Sequence, residues 1–251
     1  MARLTAEAWA WSIEAAKWRP VRRRARKVWL NSYVEQTVLR DAPFAAQGRD
    51  PKRLRTYLQA IASKTSSIPA HKTLYDTASI TRVTALSYDH PLESLFVTEQ
   101  VPAWSTNRLT RLGRTAKRYV VEPAIAASLL RLDGRTIVRD ATLVGSIVDT
   151  FVAAQLRSEI GVADTDFSMF HLRRDDGSKE IDLLLEGPGG QLVAIGIKAH
   201  AAPDLGMARH LCWLRDSLPD RFTVGVVFHT GPRSYVLNDR IWALPISAIW
   251  A

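Results

Sequence analysis

Three residues in the C-terminal half are of the types that cut a phosphodiester: Asp149, Asp182 and Lys198. A hard divalent cation such as Mg²⁺ is held by carboxylate oxygens, usually two, and the bound metal activates water. A lysine beside it orients the attacking water and steadies the charge on the phosphate. Hydrophobic periodicity puts Asp149 on a helix over Gly145–Glu159. Glu180–Glu186 and Gln191–Lys198 read as strands joined by a turn at Gly187-Pro-Gly-Gly190. Such a hairpin brings Asp182 and Lys198 within reach when both point to one face. An ordinary cross-strand ion pair uses the same two residues, and spacing alone makes it the commoner explanation.

The elements that must position these groups follow from pattern and punctuation. Thr5–Leu39 is helical, with Trp9, Ile13 and Ala16 on one face. A break at Pro20 is followed by Val28, Trp29, Tyr33 and Leu39, and the run Arg22, Arg23, Arg24, Arg26 and Lys27 opens the second helix. A loop through Pro43 and Gly48 leads to a helix near Pro51–Lys64 with Leu54, Leu58 and Ile61 inward. A helix-turn-helix comes next: Lys72–Ala78, a turn at Ser79–Thr81, then Thr81–Leu95 with an interruption expected at Pro91. Phe96–Trp104 alternates like a strand, Ser105–Arg118 reads as a loop or a further strand, and Lys117–Val121 is a short strand. Pro123–Leu132 is a short helix with proline at its start. Beyond the hairpin lie a helix over Leu205–Leu218 and strands at Phe222–Phe228 and Ile241–Leu244. Trp213, Trp242 and Trp250 are expected in the core of this last part.

Composition narrows the class of protein. The chain has 251 residues, 47% hydrophobic and 24% charged, the make-up of a folded globular protein of one large or two to three smaller domains. One cysteine excludes an internal disulfide framework and a cysteine-rich zinc site. No apolar run approaches the ~18 residues that span a bilayer, and Arg3, Glu7 and Glu14 break up any signal-peptide core. A cytoplasmic protein without a membrane partner is expected. The net charge of +9 is unevenly placed: +8 over 1–56, −1 over 57–104, +6 over 105–139 and −4 over 140–251. The basic part is therefore the first 139 residues, which points to a polyanion such as double-stranded DNA there.

Residues 140–251 resemble the C-terminal domain of a large prokaryotic family of AAA-type ATPases, a domain similar to restriction endonucleases of the PD-(D/E)xK type. The resemblance rests on Val144–Leu156, Lys179–Glu186, Leu192–Ala199 and Arg240–Trp250. It implies an acidic residue from the first helix, matched by Asp149, an aspartate from the first hairpin strand, matched by Asp182, and a Glu-x-Lys on the second. Here that last motif is Gly196-Ile197-Lys198, so one metal carboxylate is missing, and Gln155 stands where the family has glutamate. Glu180 shares the strand face of Asp182, and Glu186 lies nearby. Thr73–Ile80 and Leu95–Trp104 look like the winged helix of the same family, and Trp29–Tyr33 with Leu39–Asp41 look like the segment after its ATPase core. No G-x-x-x-x-G-K-[ST] loop occurs, so neither ATP binding nor ATPase activity is expected.

The expected architecture is mixed α/β: a helical segment over 1–49, a winged helix and basic linker over 50–139, and a restriction-endonuclease-like domain over 140–251. DNA contact is assigned to Thr81, Arg82, Thr84 and Ser87 in the groove, with Lys72, Arg108, Arg111 and Arg114 on phosphates. Internal packing or protein docking by the same helix is the alternative. The leading expectation is a DNA-binding protein with a degenerate nuclease-like domain. A Mg²⁺-dependent nuclease using Asp149 and Asp182 as metal ligands and Lys198 at the water is the second reading. A protein-interaction or antitoxin-like regulatory module is the third, and a homo-oligomer is compatible with all three.

Overall fold

The computed structural model describes residues 23–36, 50–174 and 176–250. The expected helix before Pro20, the arginine side chains at 22–24, Trp9, Trp11, Leu39 and the loop through Pro43 and Gly48 lie outside them. The chain forms two compact units that interleave in sequence: Met1–Gln100 with Lys117–Phe151, and Val101–Ala116 with Val152–Ala251. The expected boundaries near 50 and 140 thus sit beside a different grouping, in which a piece of the presumed linker joins the C-terminal part.

In the first unit, α1 (Arg23–Tyr33) turns Leu30 inward, 4% exposed, and leaves Val28 and Trp29 at 58% and 45%. The expected Val28–Trp29 face is therefore the outer one, where Trp29 stacks on Tyr33 at 5.6 Å. Asp50 accepts the Lys52 N–H and Pro51 opens α2 (Pro51–Ser63), which buries Leu54, Leu58 and Ile61 as the periodicity predicts. Helix α3 (His71–Thr77) and α4 (Arg82–Ser94) follow, separated by a turn in which Ser79 takes a positive φ of 51°. Pro91 does not interrupt α4: the Leu95 N–H still reaches the Pro91 carbonyl at 3.0 Å, and Pro91 and Leu92 are buried. Strand β1 (Thr98–Val101) pairs with β2 (Lys117–Val120) in a two-stranded sheet. Between them in sequence, where a loop or strand was expected, comes the six-residue helix α5 (Arg108–Gly113), capped by Asn107 and belonging to the second unit. Glu122 caps α6 (Pro123–Leu129), Asp133 caps α7 (Gly134–Arg139), and α8 (Ala141–Val162) begins the passage to the second unit.

The second unit is built on a mixed six-stranded sheet in the order β3-β4-β5-β6-β8-β7. Strands β3 (Ser168–Arg173), β4 (Glu180–Glu186) and β5 (Leu192–Lys198) are antiparallel neighbours. Strand β6 (Phe222–His229) runs parallel to β5, after the crossover helix α9 (Arg209–Ser217) and its preceding 3-10 turn. Strand β8 (Ile241–Pro245) is parallel to β6, and the edge strand β7 (Tyr235–Asn238) pairs antiparallel with β8. Leu184, Leu192, Ala194, Val227 and Ile241 form the core with Leu211 and Leu214 of α9. Trp242 and Trp250 are 43% and 50% exposed, so two of the three tryptophans expected in this core lie at its surface. Among the described residues no helix is long and apolar enough to cross a membrane.

Candidate functional site

Register decides what the hairpin residues meet. Leu183 pairs with Ile195, and the Asp182 carboxylate accepts the Ile197 N–H through Oδ2 at 2.8 Å. Lys198 Nζ lies 3.4 Å from the same oxygen. The expected reach between Asp182 and Lys198 is present, in the form of a half-exposed ion pair plus a main-chain hydrogen bond. Gly196 is buried, and a Cβ there would sit 3.5 Å from Leu211 Cδ1 and 3.7 Å from Val227 Cγ2. The glutamate of the family motif would thus have to grow against apolar side chains.

Asp149 has a different setting, inside the first unit. Lys117 on β2 binds its Oδ2 at 2.8 Å, and the Tyr119 hydroxyl donates to Oδ1 at 2.8 Å. The side chains of Lys117 and Asp149 are 3% and 12% exposed. The next residue along β2 faces the other way: Arg118 makes two bonds of 2.8 Å to Asp89 of α4, which also accepts the Tyr57 hydroxyl at 2.9 Å. Two consecutive buried cations on one short strand therefore hold two aspartates from different helices, and burial of each charge is offset by its partner. The phenol of Tyr57 is pushed well above its ordinary range by burial and by the neighbouring Asp89 charge. Sequence reasoning passed over this pattern, although Lys117-Arg118 inside an otherwise apolar strand asks for partners.

A metal needs converging oxygens. Asp149 is engaged by Lys117 and the Tyr119 hydroxyl, Asp182 by Lys198 and the Ile197 N–H, and Gly196 supplies no carboxylate. Among the described residues, no group of three or more His, Cys, Asp or Glu side chains is gathered so as to hold a metal ion. Glu180 is exposed, with His210 Nδ1 2.8 Å from its carbonyl oxygen. Asp182 and the Gly196-Ile197-Lys198 stretch by themselves offer Mg²⁺ one carboxylate, where two are usual.

Glu186 is the most strongly perturbed acid of the second unit. Arg111 of α5 binds both of its oxygens, at 2.6 and 2.9 Å, Arg221 adds a bond of 2.7 Å and the Trp104 indole one of 3.2 Å. The Arg111 guanidinium lies over the rings of Trp104 and Phe170 at 5.2 and 4.9 Å. Bonding to Arg111 above all, against the opposing effect of burial, holds the Glu186 carboxyl down at about 2. Arg111, assigned to phosphate from sequence, is thereby engaged within its own unit, and Arg114 donates to the Arg173 carbonyl at 2.9 Å.

The remaining DNA-assigned residues divide in the same way. Thr81 caps α4, accepting the Thr84 N–H at 3.2 Å, with the two hydroxyls 3.0 Å apart. Ser87 donates to the Thr84 carbonyl at 2.6 Å. Lys72 pairs with Asp76 one turn on. Arg82 and Arg108 are exposed. Beside Arg82, the outer face of α4 carries Val83 and Leu86, 76% and 51% exposed.

Two family models match the chain, a domain of unknown function (DUF8612) over residues 14–136 and a domain of unknown function (DUF4143) over residues 144–249. Both domains are present, and the second is one often found with AAA ATPases. No curated protein matches the chain, and no solved structure does.

Proposed function

We propose that this chain acts by binding another protein, through a winged-helix-like module, and that its restriction-endonuclease-like domain is not catalytic. The order α3, α4, β1, β2 supports the winged-helix reading. The order α8, three antiparallel strands, α9 and a parallel strand supports the nuclease-like one. A fold of this kind does not by itself assign an activity. The observation that carries the proposal is the outer face of α4. Val83 and Leu86 stand out of it, and residues 71–101 contain two Lys or Arg against four Asp or Glu. A helix that reads a DNA groove needs cations and polar donors there, whereas an exposed apolar face marks a protein contact. The cytoplasm is the compartment this reading takes, since a single cysteine fits a reducing environment.

DNA binding is the second reading, favoured by the positive charge of the first 139 residues and by exposed Arg82 and Arg108. One pair of experiments separates them. Affinity capture from nuclease-treated lysate should yield a stoichiometric protein that Leu86→Asp loses, and duplex DNA should bind weakly and without preference for sequence. Tight duplex binding with a steep salt dependence, unaffected by Leu86→Asp, would overturn the proposal in favour of DNA.

A further inference from the structure

The two edges of the six-stranded sheet are treated differently. Strand β3 is covered: Ala103 forms a parallel bridge to His171, the Trp104 N–H donates to the His171 carbonyl at 2.7 Å, and the His171 N–H donates to the Pro102 carbonyl at 3.0 Å. Among the described residues no strand pairs with the outer edge of β7. Its inward side is occupied, since the Tyr235 hydroxyl donates to the Pro203 carbonyl at 2.7 Å and Leu237 packs on the core. Its other side carries Val236, 57% exposed, in register with Trp242 on β8, 43% exposed. An open edge beside an exposed apolar pair is a site for strand addition.

We infer that β7 pairs with β7 of a second copy of this chain, antiparallel, about a two-fold axis at Val236. The ends of the strand name this occupant over a foreign one. Arg233 lies three residues before Val236 and Asp239 three residues after it, and both are exposed. A two-fold axis at Val236 therefore sets Arg233 of each copy opposite Asp239 of the other, twice by symmetry. Val236 meets its own equivalent, and the two Trp242 side chains extend the apolar row to either side. In the single chain Asp239 has Arg240 at 3.4 Å, an exposed neighbour pair of little strength. Pro232 stops the pairing at Arg233, and the irregularity between Val236 and Asn238 keeps it short, so the dimer is weak and dependent on concentration.

Sedimentation velocity of the full chain over a range of concentrations tests this. The wild type should pass from monomer to dimer, and Val236→Lys should remain monomeric at every concentration. Arg233→Asp, which puts like charges opposite each other at both ends, should weaken the dimer about tenfold. Arg233→Asp combined with Asp239→Arg should restore it. Any of three results overturns the inference: a wild type that stays monomeric into the hundreds of micromolar (a foreign strand being the remaining occupant), a dimer that survives Val236→Lys, or a charge exchange that fails to restore pairing.

Discussion

Asp182 on β4 accepts the main-chain N–H of Ile197 on β5 through Oδ2, at 2.8 Å. The carboxylate that the family pattern offers to a metal is thus a cross-strand tie of the hairpin.

Plasmid DNA incubated with the protein and Mg²⁺ or Mn²⁺ should accordingly show no nicking above background. Asp182→Ala should leave that background unchanged and lower stability by about 1–3 kcal/mol, because the Ile197 N–H loses a charged acceptor. Gly196→Glu should lower the melting temperature without starting cleavage, since its side chain enters the space beside Leu211 and Val227. Robust nicking abolished by Asp182→Ala would restore the enzyme reading.

Asp149 should behave as a structural residue. Asp149→Ala leaves Lys117 buried without its carboxylate, which costs about 3–5 kcal/mol. Asp149→Asn, which still offers an oxygen, should cost less. Urea denaturation of the two variants beside wild type measures the difference, and a fully stable Asp149→Ala protein would sink the assignment.

Lys117 and Asp149 also mark what could be read in advance. Helix α2 and the β4–β5 hairpin were legible to within a residue or two, because each carries a full period of buried apolar positions and a clear turn or cap. Helix α5 was not, because it buries nothing: Leu109 and Leu112 are 79% and 85% exposed, and Asn107 was its one local signal. Strand β7 was passed over as a four-residue edge with three half-buried residues and one exposed. The pairings that decide the site join residues far apart, Lys117 to Asp149 and Arg111 to Glu186, so no local pattern announces them. Residue types at Asp149, Asp182 and Lys198, and the pairing of the last two, were visible; Lys117 and Tyr119 as partners of Asp149, and the Ile197 N–H as a partner of Asp182, were a property of the folded chain.

Glu186 gives a pH signature. Its carboxyl is held at about 2 in the folded protein against an unfolded value of 4.5, so its contribution is complete above about 4.5 and lost as pH falls toward 2. Allowing for solvent screening, that contribution is about 1–3 kcal/mol. Glu186→Gln should be less stable than wild type by this amount at pH 7, with the gap closing between pH 4.5 and 2 in urea titrations. A gap that does not change with pH would show that the arginines hold the residue by shape alone.

Thr81 separates cap from groove contact. Thr81→Ala should cost about 1 kcal/mol and Thr81→Asn only a few tenths, because asparagine can also accept the Thr84 N–H. Neither should alter duplex affinity, which fluorescence anisotropy at low salt can follow. A loss of DNA binding with stability unchanged would place Thr81 at the nucleic acid.

The interleaving of the two units sets an order on the birth of the molecule. Residues 101–116 leave the ribosome well before their partners, and Arg111 cannot find its carboxylate until Glu186 has been made, 75 residues later. The first unit meanwhile waits for Phe151. A nascent chain therefore carries an uncommitted Arg111 over the 75 residues that separate it from Glu186, an interval in which a chaperone has something to hold.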